Sequence, residues 1–192
     1  MNILNVGYDS ANYYLVEQNG TRLLVDVGWP GTLAKLSANL KRKDVALADV
    51  QYLIVTHYHP DHAGLVQELK NKGVKHVVFE QQLPAIPLLK GYVKRVVDYI
   101  EIDTRDSLRL STEQSRTWLN GIGLQGEVVH TPGHSDDSIS LVLDSGIAFT
   151  GDLLPPDLAG DAAETAGESW TALRALGVKT AYPGHGRVRP IP

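Results

Sequence analysis

Cysteine is absent from this 192-residue chain, which excludes disulfides, zinc ribbons, iron–sulfur clusters and a thiolate nucleophile together. Any metal site has to be built from imidazole and carboxylate. Basic charge is also scarce, with 18 Lys and Arg against 22 Asp and Glu and a formal net charge of −4. No global positive field invites nucleic acid or an anionic membrane, and the short run Lys41-Arg42-Lys43 reads as a solvated helix end. No segment approaches the ~18 consecutive apolar residues of a membrane span. The first residues, MNILNVGYDSANYYLV, lack the basic-then-apolar order of an export signal. A cytoplasmic chain without a membrane partner is therefore expected. The apolar fraction of 43% is that of a globular protein, and no linker-like shift in composition divides residues 1–192, which are expected to form one domain.

Within that frame, β-rich runs and helical periods alternate. Asn12–Glu17 and Arg22–Val27 flank Asn19-Gly20, the strongest short hairpin signal. Leu33, Leu36 and Leu40 give a helix over about 32–41, and Gln51–Val55 a buried strand. A helix over 64–72, stopped by Gly73, leads to a strand over 74–79. The stretch 81–110 is broken by Pro84 and Pro87, with a helix expected through 91–97 and an extended segment at 99–102. A second half repeats the style, with helices over 111–120 and 164–176 and strands over 127–130, 138–143, 147–150 and 179–182.

Histidine is concentrated rather than scattered. The stretch from Thr56 to Gly64 reads THYHPDHAG, placing three of the chain's seven histidines and an aspartate within six residues. A core disfavours such a cluster, because each buried polar group needs a partner. Three more loops follow β-rich runs and offer a single ligand beside a small residue: TPGHS with His134, TGDLL with Asp152 and YPGHG with His185. With His57, His59, Asp61 and His62 this makes seven candidate ligands at the C-terminal ends of predicted strands, the edge at which open α/β sheets bind ligands. Imidazole and carboxylate without thiolate suit zinc, manganese or iron, and Asp152 can bridge two ions.

HYHPDH resembles the HxHxDH signature of the metallo-β-lactamase-fold hydrolases, and the other loops follow in that family's order across nearly the whole chain. Asp26-Val27-Gly28 is similar to the family's early Asp-x-Gly strand end, with Val27 in place of a commoner Thr. The resemblance implies an α/β fold, an αββα sandwich of two mixed sheets flanked by helices and made of two similar halves. It implies two divalent ions, zinc first with manganese or iron as alternatives. His57, His59 and His134 would bind the first ion, Asp61, His62 and His185 the second, with Asp152 bridging.

The expected chemistry is metal-assisted hydrolysis, in which a hydroxide bridging two ions attacks an ester-like carbonyl of a small-molecule thioester, lactone or other carboxylic ester. Asp61 is the candidate to orient the hydroxide and accept its proton. The ligand set is similar to that of glyoxalase II. The sequence runs seven residues past His185, so a counterpart of the helical region that helps bind glutathione there, and with it a true glyoxalase II, is not expected. The alternative is a mononuclear iron persulfide dioxygenase, which uses two His and one Asp and leaves the second ligand group without a use. Cysteine-ligated β-lactamases are excluded by composition. Nucleases and phosphodiesterases of the family want a basic groove, and a non-catalytic binding protein has no use for a complete ligand set.

Outside the cluster, His76 and His130 fall within predicted strands and read as structural, while Asp26 reads as a partner for a ligating histidine or as a turn residue. Trp118 and Trp170 lie on predicted helices and read as packing. Trp29, Tyr58 and Tyr92 are candidates for a substrate wall, and the segment 84–99 for a pocket rim.

Overall fold

The computed structural model describes residues 1–93 and 98–192. Asn19 and Gly20 both take positive φ, 51° and 82°, the mirror turn that matches strand twist. They join β2 (Tyr14–Gln18) to β3 (Thr21–Val25) in the register Gln18 to Thr21. A strand not anticipated from the pattern, β1 (Asn2–Asn5), adds to the free side of this hairpin. On the other side lie β4 (Tyr52–Ile54), β5 (Lys75–Phe79) and β6 (Leu108–Leu110), all parallel. The second sheet contains β7 (Gly126–His130), β8 (Ile139–Leu143), β9 (Ile147–Gly151), β10 (Thr180–Pro183) and β11 (Arg189–Pro190), in the order β11-β10-β9-β8-β7. Only β9 and β10 pair in parallel there, so both sheets are mixed, as expected.

Side-chain alternation along the strands sorts the core into three layers. Leu15, Leu24, Leu53 and Val78 face helices α1 (Leu33–Lys41) and α3 (Val66–Lys70), meeting Leu36, Leu40, Val66 and Leu69. Their neighbours Tyr14, Val16, Leu23, Val25, Ile54, Val77 and Phe79 face the other way, onto Ile139, Leu141, Leu143 and Phe149 of the second sheet. Val142, Ala148 and Ala181 then turn outward onto Ala166, Trp170 and Leu173 of α6 (Ala163–Ala175). Each fully buried Leu or Phe in these layers contributes about 1.5–3 kcal/mol of transfer free energy. The architecture is the αββα sandwich. Helix α5 (Thr112–Gly121), opened by Ser111 and Gln114 as a capping box, seals it with Leu119 against the layer between the sheets.

Three differences from the sequence pattern have local causes. The expected helix over 64–72 starts earlier and in two pieces, with α2 (Pro60–Ala63) inside the histidine loop and α3 after a break at Gly64-Leu65. Pro87 does not break structure but occupies the first turn of α4 (Ile86–Tyr92), where its missing N–H costs nothing. That helix ends at Tyr92; residues 94–97 of the expected 91–97 helix lie outside the described residues. Residues 99–102 form no strand, and β6 takes the sheet edge instead. Among the described residues no helix is long and apolar enough to cross a membrane.

Candidate metal centre

The carboxylate of Asp26 organises the loop after β4. Asp26 ends β3 in a left-handed conformation (φ 62°), and its backbone N–H donates to Ile54 O. Its side chain then accepts from Thr56 N at 2.6 Å, Thr56 Oγ1 at 2.8 Å and His62 Nδ1 at 3.0 Å. Thr56 Oγ1 lies 3.2 Å from His57 Nδ1, so Asp26 reaches two of the histidines. His59 caps α2, Pro60 takes its first position, and His62 O accepts from Val27 N at 2.8 Å. Tyr58, between the histidines, is turned the other way. Its N–H donates to Asp137 Oδ2 at 2.7 Å and its hydroxyl lies 2.8 Å from buried His76.

The second sheet brings its contributions from three strand ends, β7, β9 and β10. Asn12 Nδ2 donates to Pro183 O and Gly186 O at 2.9 Å and so clamps the loop of His185, whose Nδ1 donates to Ser10 O at 2.7 Å. Gly184 permits close approach in that loop: a Cβ there would lie 2.5 Å from both Asp152 Oδ1 and His62 Cε1. With the Nδ1–H of His57, His62 and His185 each engaged outward, the Nε2 atoms are left facing inward.

All seven predicted residues meet at one place. His59 Nδ1 lies 3.1 Å from His57 Nε2 and 3.0 Å from His134 Nε2. Asp61 Oδ2 lies 3.2 Å from His185 Nε2 and 3.7 Å from His62 Nε2. Asp152 stands between the two groups. Its Oδ2 is 3.9, 3.6 and 3.5 Å from His57, His134 and His185, and its Oδ1 is 3.4 Å from His62. Within each of the sets His57/His59/His134, Asp61/His62/His185 and His57/His62/Asp152, the ligand atoms lie within 4.8 Å of one another.

The donor set fits divalent cations. His62 Nε2 and Asp152 Oδ1 are buried and face each other without a hydrogen-bond partner, a costly arrangement unless a cation satisfies both. Ligand nitrogens at about 2.0–2.1 Å from a tetrahedral ion stand roughly 3.3 Å apart, close to the separations around His59. Burial and the surrounding imidazoles hold His57 well below its ordinary pKa, and burial lowers His134 too, keeping both as neutral donors. Burial also opposes charge on His62, but the Asp26 carboxylate, with Asp152, outweighs it and pushes the imidazole up to about 10. Burial likewise opposes the charge on Asp152, yet the nearby His62 imidazole, with His185 and His134, holds its carboxyl below the usual range.

Two depressions flank the cluster. A groove of about 540 Å³ runs from His59 and His134 between α4 and the loop at Ser135–Asp137, walled by Pro84, Ala85, Leu88 and Tyr92, with the Tyr92 ring 5.4 Å from that of His59. A smaller cavity of about 170 Å³ lies beyond Asp152 and His185, against Leu153, Leu154, Pro183 and Arg189. Pro84, Ala85, Leu88 and Tyr92 of the expected 84–99 rim thus stand beside the cluster, whereas Tyr99 lines a separate depression and residues 94–97 lie outside the described residues. Trp118 packs on Tyr52 and Trp170 is fully buried, while Trp29 is exposed and lines neither depression. His76 and His130 stay out of the cluster, His130 Nε2 donating to Asp136 O. Thr56, Asp137, Asn12 and the Ser10 carbonyl were not anticipated; nothing in the local sequence marks them.

A chain of this fold, with His and Asp clusters gathered from strand ends of both sheets, is defined as an αββα metal-site protein. It belongs to the metallo-β-lactamase superfamily, whose profile it matches over residues 6–185. That fold family implies divalent metal binding. It is 24% identical over 181 residues to a β-lactamase-like protein 2 homolog of Caenorhabditis elegans, covering 92% of this chain and 56% of that one. It is also 29% identical over 185 residues to an atrochrysone carboxyl ACP thioesterase of Aspergillus fumigatus, covering 92% and 51%. The chain thus spans about half the length of these curated relatives. Among solved structures, a metallo-β-lactamase family protein of Thermus thermophilus superimposes with a TM-score of 0.77 at 22% identity, over 99% of this chain and 74% of that one.

Proposed function

We propose that this chain is a hydrolase that uses two divalent cations to cleave an ester-like bond, a thioester, lactone or other carboxylic ester of a small molecule. The observation that carries the reading is Asp152, whose carboxylate stands between the two groups of ligand atoms, with Oδ2 within 3.9 Å of His57, His134 and His185 and Oδ1 3.4 Å from His62. In this reading His57, His59 and His134 would hold one cation and Asp61, His62 and His185 the other, with Asp152 available to both. Zinc suits this donor set first, with manganese or iron as alternatives. Such cations would polarise the substrate carbonyl and lower the pKa of a water molecule to near neutrality.

The chain's own residues do the rest. Asp61 Oδ2, at the partly exposed edge of the cluster, orients the attacking water and takes its proton. Asp26 and Thr56 hold His62 and His57 in place beforehand, so little reorganisation is needed as charge develops on the substrate. Pro84, Leu88 and Tyr92 give the groove an apolar wall that suits an acyl or aromatic group. The thioesterase name of the Aspergillus relative belongs to that protein, and supports an acyl bond here. Asp136 and Asp137 on the opposite wall do not suit a polyanionic nucleic acid.

The first test is elemental analysis of the chain as purified, without added metal. About two zinc or manganese ions per chain is expected. A single iron with little else would overturn the reading and favour oxygen chemistry on persulfides. The partly exposed His134 is the safest ligand to remove: His134→Ala should lose at least one equivalent of metal and turnover on an ester panel, with the circular dichroism spectrum unchanged. Full metal content and turnover in that variant would refute the assignment.

A further inference from the structure

The cavity beyond Asp152 contains a group that the chemistry above does not use. Arg189 lines it from β11, and its Nε is buried without a hydrogen-bond partner. The residue as a whole is half-buried, and its guanidinium makes no hydrogen bond or ion pair with the described residues, so its buried Nε–H is left uncompensated. The acid that lines the same cavity, Asp152, is not paired with it, and both Asp152 oxygens lie against the histidines. The remaining lining beyond the cluster, Leu153, Leu154 and Pro183, offers no acceptor side chain. The groove on the other side of His134 has the opposite character: Asp136 and Asp137 border it, with no Lys or Arg among the described residues that line it.

We infer that Arg189 is a substrate-recognition residue that binds an oxyanion, the carboxylate or phosphate of a substrate whose apolar portion lies on Leu88 and Tyr92. The guanidinium fork presents parallel N–H donors that match two oxygens of either group. The cavity, at about 170 Å³, holds a short anionic arm rather than a long chain. The charge asymmetry sets the orientation, since the acidic groove would repel the anion that the Arg189 cavity attracts. The inference rests on the hydrolase reading for its substrate, and not for its anion.

Two experiments separate those dependencies. In the zinc-loaded full chain, the Arg189 Nε–H resonance is followed while succinate or inorganic phosphate is added. A saturable shift is expected and identifies which oxyanion is preferred. No shift with either anion would overturn the inference, whether or not esters are cleaved. Shifts without hydrolysis of any ester would sustain the anion site and remove the hydrolase reading. The second measurement is the ratio of kcat/KM for a succinyl or phosphate-bearing thioester to that for a neutral one of equal length. The ratio should fall roughly 10- to 100-fold in Arg189→Met. Arg189→Lys, which keeps charge but not the fork, should give an intermediate ratio. An unchanged ratio in Arg189→Met would overturn the assignment.

Discussion

The first sheet delivers His57, His59, Asp61 and His62 from one loop and the helical turn after it, whereas the second delivers His134, Asp152 and His185 singly, from the ends of three strands. Each candidate cation position takes two ligands from the first source and one from the second, with Asp152 common to both. Neither half can assemble a position alone. The first source is held by local hydrogen bonds, through Asp26, Thr56 and the His59 carbonyl, which accepts from His62 N and Ala63 N. The second depends on strand register, including the irregularity at Tyr182/Pro183 that turns β10 toward Gly151.

That contrast breaks hardest at Asp152. Asp152→Ala removes the group shared by both proposed positions, and we expect loss of both ions and a fall in turnover on the order of 1,000-fold or more. Metal content measured beside His134→Ala checks this: two ions retained in Asp152→Ala would show that the carboxylate is not shared. Next is Asp26→Asn, which weakens the anchor of His62 without touching the second sheet. Metal affinity should drop about 10- to 100-fold in chelator competition, at one position more than the other. Equal weakening of both would mean that Asp26 supports the loop as a whole.

Gly184→Ala attacks the other source. The new Cβ would crowd Asp152 Oδ1 and His62 Cε1, at a cost of about 1–3 kcal/mol in a denaturant titration. A neutral result would show that the loop of His185 can yield. The smallest effect concerns His76, which belongs to the first half but not to the cluster. Burial, together with Lys70, lowers its pKa from 6.5 to about 3, so the unfolded chain binds a proton that the folded chain refuses between those values. Its contribution to stability is complete above the unfolded pKa and is lost as pH falls through the window. The loss reaches about 1.4 kcal/mol one unit below the unfolded value. His76→Gln should flatten the pH dependence of the urea midpoint in acid, and an unchanged slope would show that His76 protonates in place.

Much of the site could be read from the chain because its residue types are rare and stand in loops after apolar runs. HYHPDH, TPGHS, TGDLL and YPGHG needed no contact map. The residues that hold them did. Asn12 stands 171 positions from Pro183 and Asp137 79 from Tyr58, and no local pattern marks either pairing. Arg189 was one of several basic residues near the end of the chain until the fold placed it in the cavity that Asp152 and His185 also line. Tyr58, flanked by ligands, could have reached the groove with its hydroxyl; it contributes to the groove lining, but its bonds to Asp137 and His76 send the hydroxyl inward.

By itself, the sequence determined the alternation of strand and helix, the Asn19-Gly20 turn, the absence of thiolate chemistry and the identity of the seven candidate ligands. Those follow from side-chain chemistry and short-range geometry. Only the tertiary structure decided that Asp152 faces both ligand groups, that Asp26 serves His62 and Thr56 together, and that an acidic groove and a cationic cavity lie on opposite sides of His134. Such relations depend on the packing of two sheets, whose register brings together side chains separated by most of the chain.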